Sequence, residues 1–283
     1  MDRPTDRLEA HRMFFAQLVT ASAAVPATER NLIEAFAYSP RERFVGDGPW
    51  QVFTRGGYIQ TPSDDPALLY QDITVALRSE EQINNGQPTL HAACLAVLGV
   101  KEGEIIVHIG AGTGYYSALL AKLTGPIGSV FAYEIDRELA ERATKNLAEY
   151  SNVTVHHRSG SEGEFPACDI VYVNAGATAP MDVWLDSLRP GGRLLFPLTP
   201  DQGFGGMLLV TRAETGGFAA QFICGAMFIP CAGARDDETA QKLSDAFKRG
   251  NMGNVRSLHR ATSPDETCWI SGLGWWLSTA PVA

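Results

Sequence analysis

Glycines 110, 112 and 114, in the run Val107-His-Ile-Gly-Ala-Gly-Thr-Gly-Tyr-Tyr116, follow an apolar strand-like stretch and open a helical one. Glycine lets a backbone turn tightly and approach a ligand closely. The N-terminus of the helix that follows offers N–H groups and partial positive charge to a carboxylate or phosphate. A tight turn that holds no ligand is the other reading of the same residues. The spacing is G-x-G-x-G, whereas the dinucleotide-binding turn G-x-G-x-x-G/A would need a small residue at Tyr115. Glu134 closes the next apolar run, where a carboxylate can accept both hydroxyls of a ribose; a solvated residue before a helix is the alternative. Asp136 reads as the N-cap of a helix beginning at Arg137.

Further along, Arg158-Ser-Gly-Ser-Glu-Gly163 is a small-residue loop suited to lie against an adenine ring, and Asp169-Ile-Val-Tyr-Val-Asn174 runs into Ala175-Gly176-Ala177. Ligands of open parallel sheets gather at the carboxyl ends of the strands, so these loops are expected to converge. Upstream, Ile83-Asn-Asn-Gly-Gln-Pro88 places the amides of Asn84, Asn85 and Gln87 around Gly86, where they either hydrogen-bond a second substrate or serve as loop and cap residues. His108, inside an apolar strand, is either a general base or a satisfied core group. His156 and His157 are adjacent, so on a strand they face opposite sides and cannot share a metal. Arg41 and Arg43 read as holders of an anion or as surface ion pairs. Trp269, Trp275 and Trp276 read as an acceptor platform or as packing against the core or a second subunit.

These residues need a frame, and the periodicity supplies one. Two helices are expected between Thr5 and Tyr38, the second opened by Pro26-Ala27-Thr28, followed by a glycine- and proline-punctuated irregular stretch from Ser39 to Asn85. From Pro88 the pattern alternates: helix to Gly99, strand 104–109, helix 115–123, strand 129–133, helix 137–149, strands 153–156 and 170–173, helix 181–188, strand 193–197. Such alternation means βαβ units and a mostly parallel sheet. Strands 206–212 and 218–228, joined across Glu214-Thr-Gly-Gly217, read as an antiparallel hairpin; residues 236–249 form an amphipathic helix, and Cys268–Leu277 packs back as strand or core edge. The expected divisions are 1–85, an N-terminal helical and irregular acceptor region; 86–230, the ligand-binding sheet; and 231–283, a C-terminal extension.

Composition bounds the function. In 283 residues the formal net charge is −9, which opposes a nucleic-acid partner. Five scattered cysteines without a C-x-x-C pair suggest neither disulfides nor zinc. The first twelve residues mix acids with arginines, unlike a secretory leader, and no run is long and apolar enough for a membrane helix, so a cytoplasmic protein is expected.

From Val107 to Thr199 the chain resembles the protein-L-isoaspartate O-methyltransferases. The likeness rests on the strand into Gly-Ala-Gly-Thr-Gly-Tyr, on Glu134, on Asn152-Val-Thr-Val155 and on Leu188-Arg-Pro-Gly-Gly-Arg-Leu-Leu-Phe-Pro197; Tyr38-Ser-Pro-Arg-Glu-Arg-Phe-Val45 is similar to that family's entry motif. The resemblance implies an α/β, Rossmann-like class I methyltransferase sheet and S-adenosyl-L-methionine as cofactor. The cofactor positions it suggests are His108, Gly110, Ala111, Gly112, Thr113, Glu134, Ile135, Ser159, Gly160, Asn174 and Ala175. The acceptor positions are Asn85, Gly86 and Gln87. The acceptor would be a carboxylate on a protein, peptide or small molecule, with a homodimer as one assembly. A cofactor-binding scaffold or sensor and a tRNA methyltransferase are the competing functions. Three departures stand out: Gly86 takes the place of the serine in the family's Gly-Gln-Thr-Ile-Ser-Gln-Pro signature, Ser159 that of a carboxylate, and His108 that of a glutamate.

Overall fold

The computed structural model describes residues 4–26 and 28–282. Ala27, expected at the opening of the second helix, and Met1 to Arg3, part of the segment weighed as a leader, lie outside the described residues. In chain order come α1 (Pro4–Ser22), α2 (Arg30–Ala37), α3 (Glu42–Val45), the hairpin β1 (Gln51–Thr54) and β2 (Gly57–Gln60), a 3-10 turn (Pro66–Leu69), a second hairpin β3 (Ala76–Arg78) and β4 (Ile83–Asn84), and α4 (Pro88–Leu98). Then follow β5 (Ile105–Ile109), α5 (Tyr115–Thr124), β6 (Ser129–Glu134), α6 (Arg137–Asn146), β7 (Val153–His157), β8 (Cys168–Val173) and α7 (Asp182–Ser187). The last are β9 (Leu188–Leu198), β10 (Gly205–Arg212), β11 (Phe218–Ala226), α8 (Asp237–Arg249), β12 (Ser257–Arg260), β13 (Cys268–Gly272) and β14 (Trp275–Ser278). The chain packs as two compact units: one holds the chain up to Gly103 with Ala111–His157, the other Glu104–Gly110 with the chain from Arg158 onward. No helix among the described residues is long and apolar enough to cross a membrane.

In the second unit the strands run in the order β13-β14-β12-β11-β10-β9-β8-β5. β5 with β8 and β8 with β9 pair in parallel, Val107 opposite Val171 and Val171 opposite Leu194. From β9 outward every pairing is antiparallel. The parallel part is the expected one: β8 is almost entirely buried, which a near-continuous apolar run provides. The antiparallel part exceeds the expected hairpin, because the C-terminal extension adds β12, β14 and β13. β9 also begins earlier than periodicity suggests. Its register against β8 jumps from Cys168–Leu188 to Ile170–Arg193, and the extra residues Pro190-Gly191-Gly192 form a bulge in which Gly191 takes φ +76°. The tryptophans are core residues: Trp269 meets Phe222 and Phe247 edge-on, each with ring centroids 5.3 Å apart, and Trp276 stacks on His259 at 4.1 Å.

In the first unit β6 and β7 pair in parallel, Ala132 opposite Val155. α6 starts where Asp136 caps it, accepting the Leu139 N–H at 2.9 Å. α4 opens on Pro88 and stops at Gly99, which is left-handed at φ +55°. The stretch 39–85 is more ordered than its glycines and prolines suggest: its two hairpins have strands of only two to four residues, too short for a period to register. Two features fasten it. Trp50, Val45, Leu69 and Val75 form an apolar cluster joined by Ile73 and Leu77. Arg41 is wholly buried, against the expectation of a surface residue. Its guanidinium donates to the carbonyls of Leu69 (2.5 Å), Gln71 (2.9 Å) and Ile73 (2.9 Å) and lies over the Phe15 ring. Arg43 does form an ordinary ion pair, with Glu149 at 2.9 Å. Arg41→Met keeps the side chain's bulk but removes a buried guanidinium that serves three carbonyls, of which that of Gln71 keeps the Ile73 N–H at 2.8 Å, so it should lower the unfolding free energy by roughly 2 kcal/mol or more in urea titrations. A loss within about 0.5 kcal/mol would assign Arg41 the weight of a surface residue.

Candidate active site

In the first unit the glycine turn is built onto the end of β6. Ala111 N–H donates to the Tyr133 carbonyl at 3.1 Å, and Gly114 N–H closes the turn on the Ala111 carbonyl at 2.9 Å. The Glu134 side chain curls back under the turn: one oxygen accepts Gly112 N–H at 2.7 Å and the other accepts Asp136 N–H at 3.0 Å. Its carboxylate is buried, and that burial raises its pKa against the opposing pull of the backbone N–H donors. The Ile135 N–H also bears on this carboxylate, which still has accepting capacity for a further donor. Gly112 (φ +56°) and Gly114 (φ +96°) have left-handed backbones, and a Cβ on Gly114 would lie 2.6 Å from Leu147 Cδ1. The room at Gly112 is bounded by Leu77, whose Cδ1 would be 3.5 Å from a Cβ there. The neighbouring Arg78 pairs with Asp136 and, at 3.1 Å, with Glu81. Ile135 is about half exposed. Thr113 is buried and its hydroxyl donates to the Phe44 carbonyl, so its side chain serves the fold.

The loop ahead of α4 lies in the same unit and is held throughout. Asn84 Oδ1 accepts Gly86 N–H at 2.9 Å, Gln87 Nε2 donates to Asp72 at 2.9 Å, and the other Asp72 oxygen accepts Thr89 N–H at 2.8 Å. Asn85 is buried. Its Oδ1 accepts Val75 N–H at 2.9 Å and its own N–H donates to the Val75 carbonyl at 3.0 Å, while its Nδ2 has no hydrogen-bond partner among the described residues. The hydroxyls of Tyr115 and Tyr116, at the start of α5, are likewise buried and unpartnered, and burial raises both pKa values, which keeps them neutral. Of the three residues expected at the acceptor, Asn85 holds a buried, unpartnered donor, Gly86 offers bare backbone, and Gln87 is engaged with Asp72.

In the second unit the expected residues lie at the carboxyl ends of β5 and β8. His108 is fully buried, its Nε2 lies 2.7 Å from Asn174 Nδ2, and its ring stacks on Tyr172. Burial pushes its pKa down to about 3, so the ring is neutral and belongs to the core. Asn174 N–H donates to the Ile109 carbonyl at 2.8 Å, and a Cβ on Gly110 (φ +73°) would lie 3.3 Å from the Asn174 carbonyl carbon. The loop after β7 also packs closely. A Cβ on Gly160 would fall 2.4 Å from Ile109 Cγ2, Trp184 Nε1 donates to the Gly160 carbonyl at 2.6 Å, and the Ser159 hydroxyl meets that of Ser161 at 2.8 Å. Ala175 leads into Gly176, whose carbonyl accepts Arg235 Nη1 at 3.1 Å. The same nitrogen reaches the Thr199 carbonyl at 2.9 Å, and the guanidinium pairs with Asp201. Leu77, Arg78, Trp184 and Arg235 escape sequence reasoning because each acts on a partner far along the chain; only the bulk of Trp184 beside a glycine-rich family motif gives any local signal.

Comparison with known proteins agrees with this frame. The family profile of protein-L-isoaspartate(D-aspartate) O-methyltransferase (PCMT) matches residues 27–236. The protein-L-isoaspartate O-methyltransferase of Methanothermobacter thermautotrophicus is 31% identical over 199 residues, covering 69% of this chain and 83% of that protein. The one from Aeropyrum pernix is 32% identical over 205 residues, covering 70% and 71%. Among solved structures, a protein-L-isoaspartate O-methyltransferase superposes with a TM-score of 0.65 at 21% identity, covering 88% of this chain and 72% of that one. A Plasmodium falciparum protein assigned to the same activity, in complex with S-adenosyl-L-homocysteine, gives 0.61 at 15% identity, covering 78% and 97%. The structural likenesses carry the fold, and the profile and the sequence identities carry the family. With a Rossmann-like class I methyltransferase fold, a glycine turn closed on Glu134 and a profile match over most of its length, this chain belongs to the protein-L-isoaspartate(D-aspartate) O-methyltransferase family.

Proposed function

We propose that this chain transfers the methyl group of S-adenosylmethionine to a carboxylate on a protein or peptide, with an isoaspartyl side chain as the acceptor to test first. The observation that carries the reading is the buried Glu134 carboxylate, fixed by the Gly112 and Asp136 N–H groups with accepting capacity to spare. That pair of acceptors fits a ribose diol, whose hydroxyls would donate, and the left-handed glycines beside it keep side chains out of the turn. When bound, S-adenosylmethionine supplies a sulfonium-activated methyl, which an acceptor carboxylate oxygen displaces in line, forming a C–O bond as the C–S bond breaks.

A carboxylate is already ionised near neutrality, so no residue has to remove a proton from it, and the neutral, buried His108 is compatible with that. The work of the chain is to hold, orient and exclude water. In the first unit we assign the ribose to Glu134, the turn contacts to Ala111, Gly112 and the Thr113 backbone, and an apolar contact with the nucleoside to Ile135. Asn85 Nδ2 would donate to the acceptor carboxylate, and Gly86 would let it come close. Gly110, Ser159, Gly160, Asn174 and Ala175, in the second unit, stand as cofactor positions by the family resemblance. The five cysteines, all unbridged, support a cytoplasmic setting.

Calorimetry with S-adenosylhomocysteine should give tight binding to the parent and roughly 10- to 100-fold weaker binding to Glu134→Ala. The pH dependence should run in two directions. Because the folded pKa of Glu134 lies above its unfolded value, its contribution to stability is present below the unfolded carboxylate range and is lost as pH rises through the folded value. The stability of the parent minus that of Glu134→Gln should thus decline from acid toward neutral pH, while S-adenosylhomocysteine affinity climbs over the same range as the accepting carboxylate ionises. Transfer of tritiated methyl to an isoaspartyl peptide is the direct test of activity, and binding without any labelled acceptor would favour a scaffold. Asn85→Asp keeps the acceptor for Val75 N–H and replaces the unpartnered donor with an anion. It should cut kcat/KM about 100-fold in protein that still binds S-adenosylhomocysteine, with a lower melting temperature from the buried charge.

A further inference from the structure

Gly86 has φ +71°, and a Cβ built on it would sit 2.3 Å from His91 Nε2 and 2.9 Å from His91 Cδ2. The room a side chain at position 86 would claim is therefore already filled by an imidazole from the second turn of α4. That ring is not at liberty to move aside. His91 is only 1% exposed, and its ring stacks on Tyr116 with centroids 3.5 Å apart and planes 15° apart. The loop is equally fixed, with Gly86 N–H on Asn84, and Gln87 and Thr89 both on Asp72. Tyr116 is the second residue of α5, which Gly114 caps, so the ring beneath Gly86 rests on the helix that the glycine turn begins.

We propose that His91 is a positioning residue for the methyl acceptor, acting with Gly86 as a single specificity element in which the helix lends the loop the group that residue 86 lacks. The inference rests on the reading of residues 84–87 as the acceptor loop. It makes three demands on the molecule. The acceptor must sense a change at 91, the cofactor must not, and positions 86 and 91 must be coupled in packing.

The experiment is a cycle of His91→Ala, His91→Gln, Gly86→Ser and the double variant Gly86→Ser/His91→Ala. Each is measured for melting temperature, S-adenosylhomocysteine binding, and KM and kcat with an isoaspartyl peptide. His91→Ala should raise KM about tenfold or more with kcat within about threefold and cofactor affinity within about twofold. His91→Gln, whose amide reaches the same place, should recover most of that loss. Gly86→Ser alone should lower the melting temperature and activity sharply, and the double variant should melt higher than the two single shifts added together, because removing the ring relieves the clash. If His91→Ala binds S-adenosylhomocysteine normally and keeps the parental KM, the ring is packing alone and the inference falls, as it does if the two melting shifts simply add. Should His91→Ala fail to fold, an unchanged KM in a folded His91→Phe protein, which retains the ring and loses its nitrogens, overturns the proposal and a raised KM upholds it. A parent that binds S-adenosylhomocysteine but neither binds nor methylates the isoaspartyl peptide sinks the acceptor-loop reading, and this inference with it; a parent that turns over while His91→Ala matches it sinks the inference alone.

Discussion

A carboxylate buried at the end of a strand must have its charge met from all sides, and the first unit is arranged around meeting it at Glu134. Desolvation of an ionised carboxylate costs several kcal/mol in a protein interior, and two backbone N–H groups offset part of it. For Gly112 to present its N–H to the end of β6, the turn has to fold back in a left-handed conformation, which explains the glycines there better than any property of a ligand alone. Asp136 is held in turn by the cap of α6 and by Arg78, and the residue before Arg78 bounds the room at Gly112. The β3–β4 hairpin then leads straight into Asn85 and Gly86. The turn at Gly112 and the loop at Gly86, to which we assign nucleoside and acceptor, are thus one mechanically continuous piece.

Much of this was legible in the amino-acid sequence, for reasons that particular elements make clear. The strands β5, β6 and β8 are short apolar runs closed by a glycine, a glutamate or an asparagine, and α6 and α8 announce themselves with aspartate caps and amphipathic faces. Those signals are local, and so they survive in a single sequence. The order within residues 39–85 was not visible, because strands of two to four residues leave no period and because Arg41 gains its meaning only from carbonyls some thirty residues away. The same holds for the β9 bulge: Pro190-Gly191-Gly192 reads as a stop, and only pairing with β8 makes it an interruption inside a strand.

The candidate site divides along the same line. Residue types at Gly112 and Glu134 could be read from spacing, since the chemistry demands them there. Side chains such as Thr113 and Gln87 looked available and are instead tied to Phe44 and Asp72. His108 shows what residue type alone leaves open: it is fully buried, stacked on Tyr172 and held beside Asn174.

In the second unit the turn after β8 takes its shape from Arg235, whose guanidinium is shared among Gly176, Thr199 and Asp201. That residue stands at the last stretch matched by the family profile, which ends at 236. Strands β12 to β14 come after it and pair onto the outer edge of β11, so nothing in their own sequence has to shape the ligand-facing turn. Arg235 thus pins the end of the profile-matched stretch onto the segments that follow β8 and β9, and because all its partners lie inside that stretch, the outer strands can be trimmed or exchanged without loosening the pin.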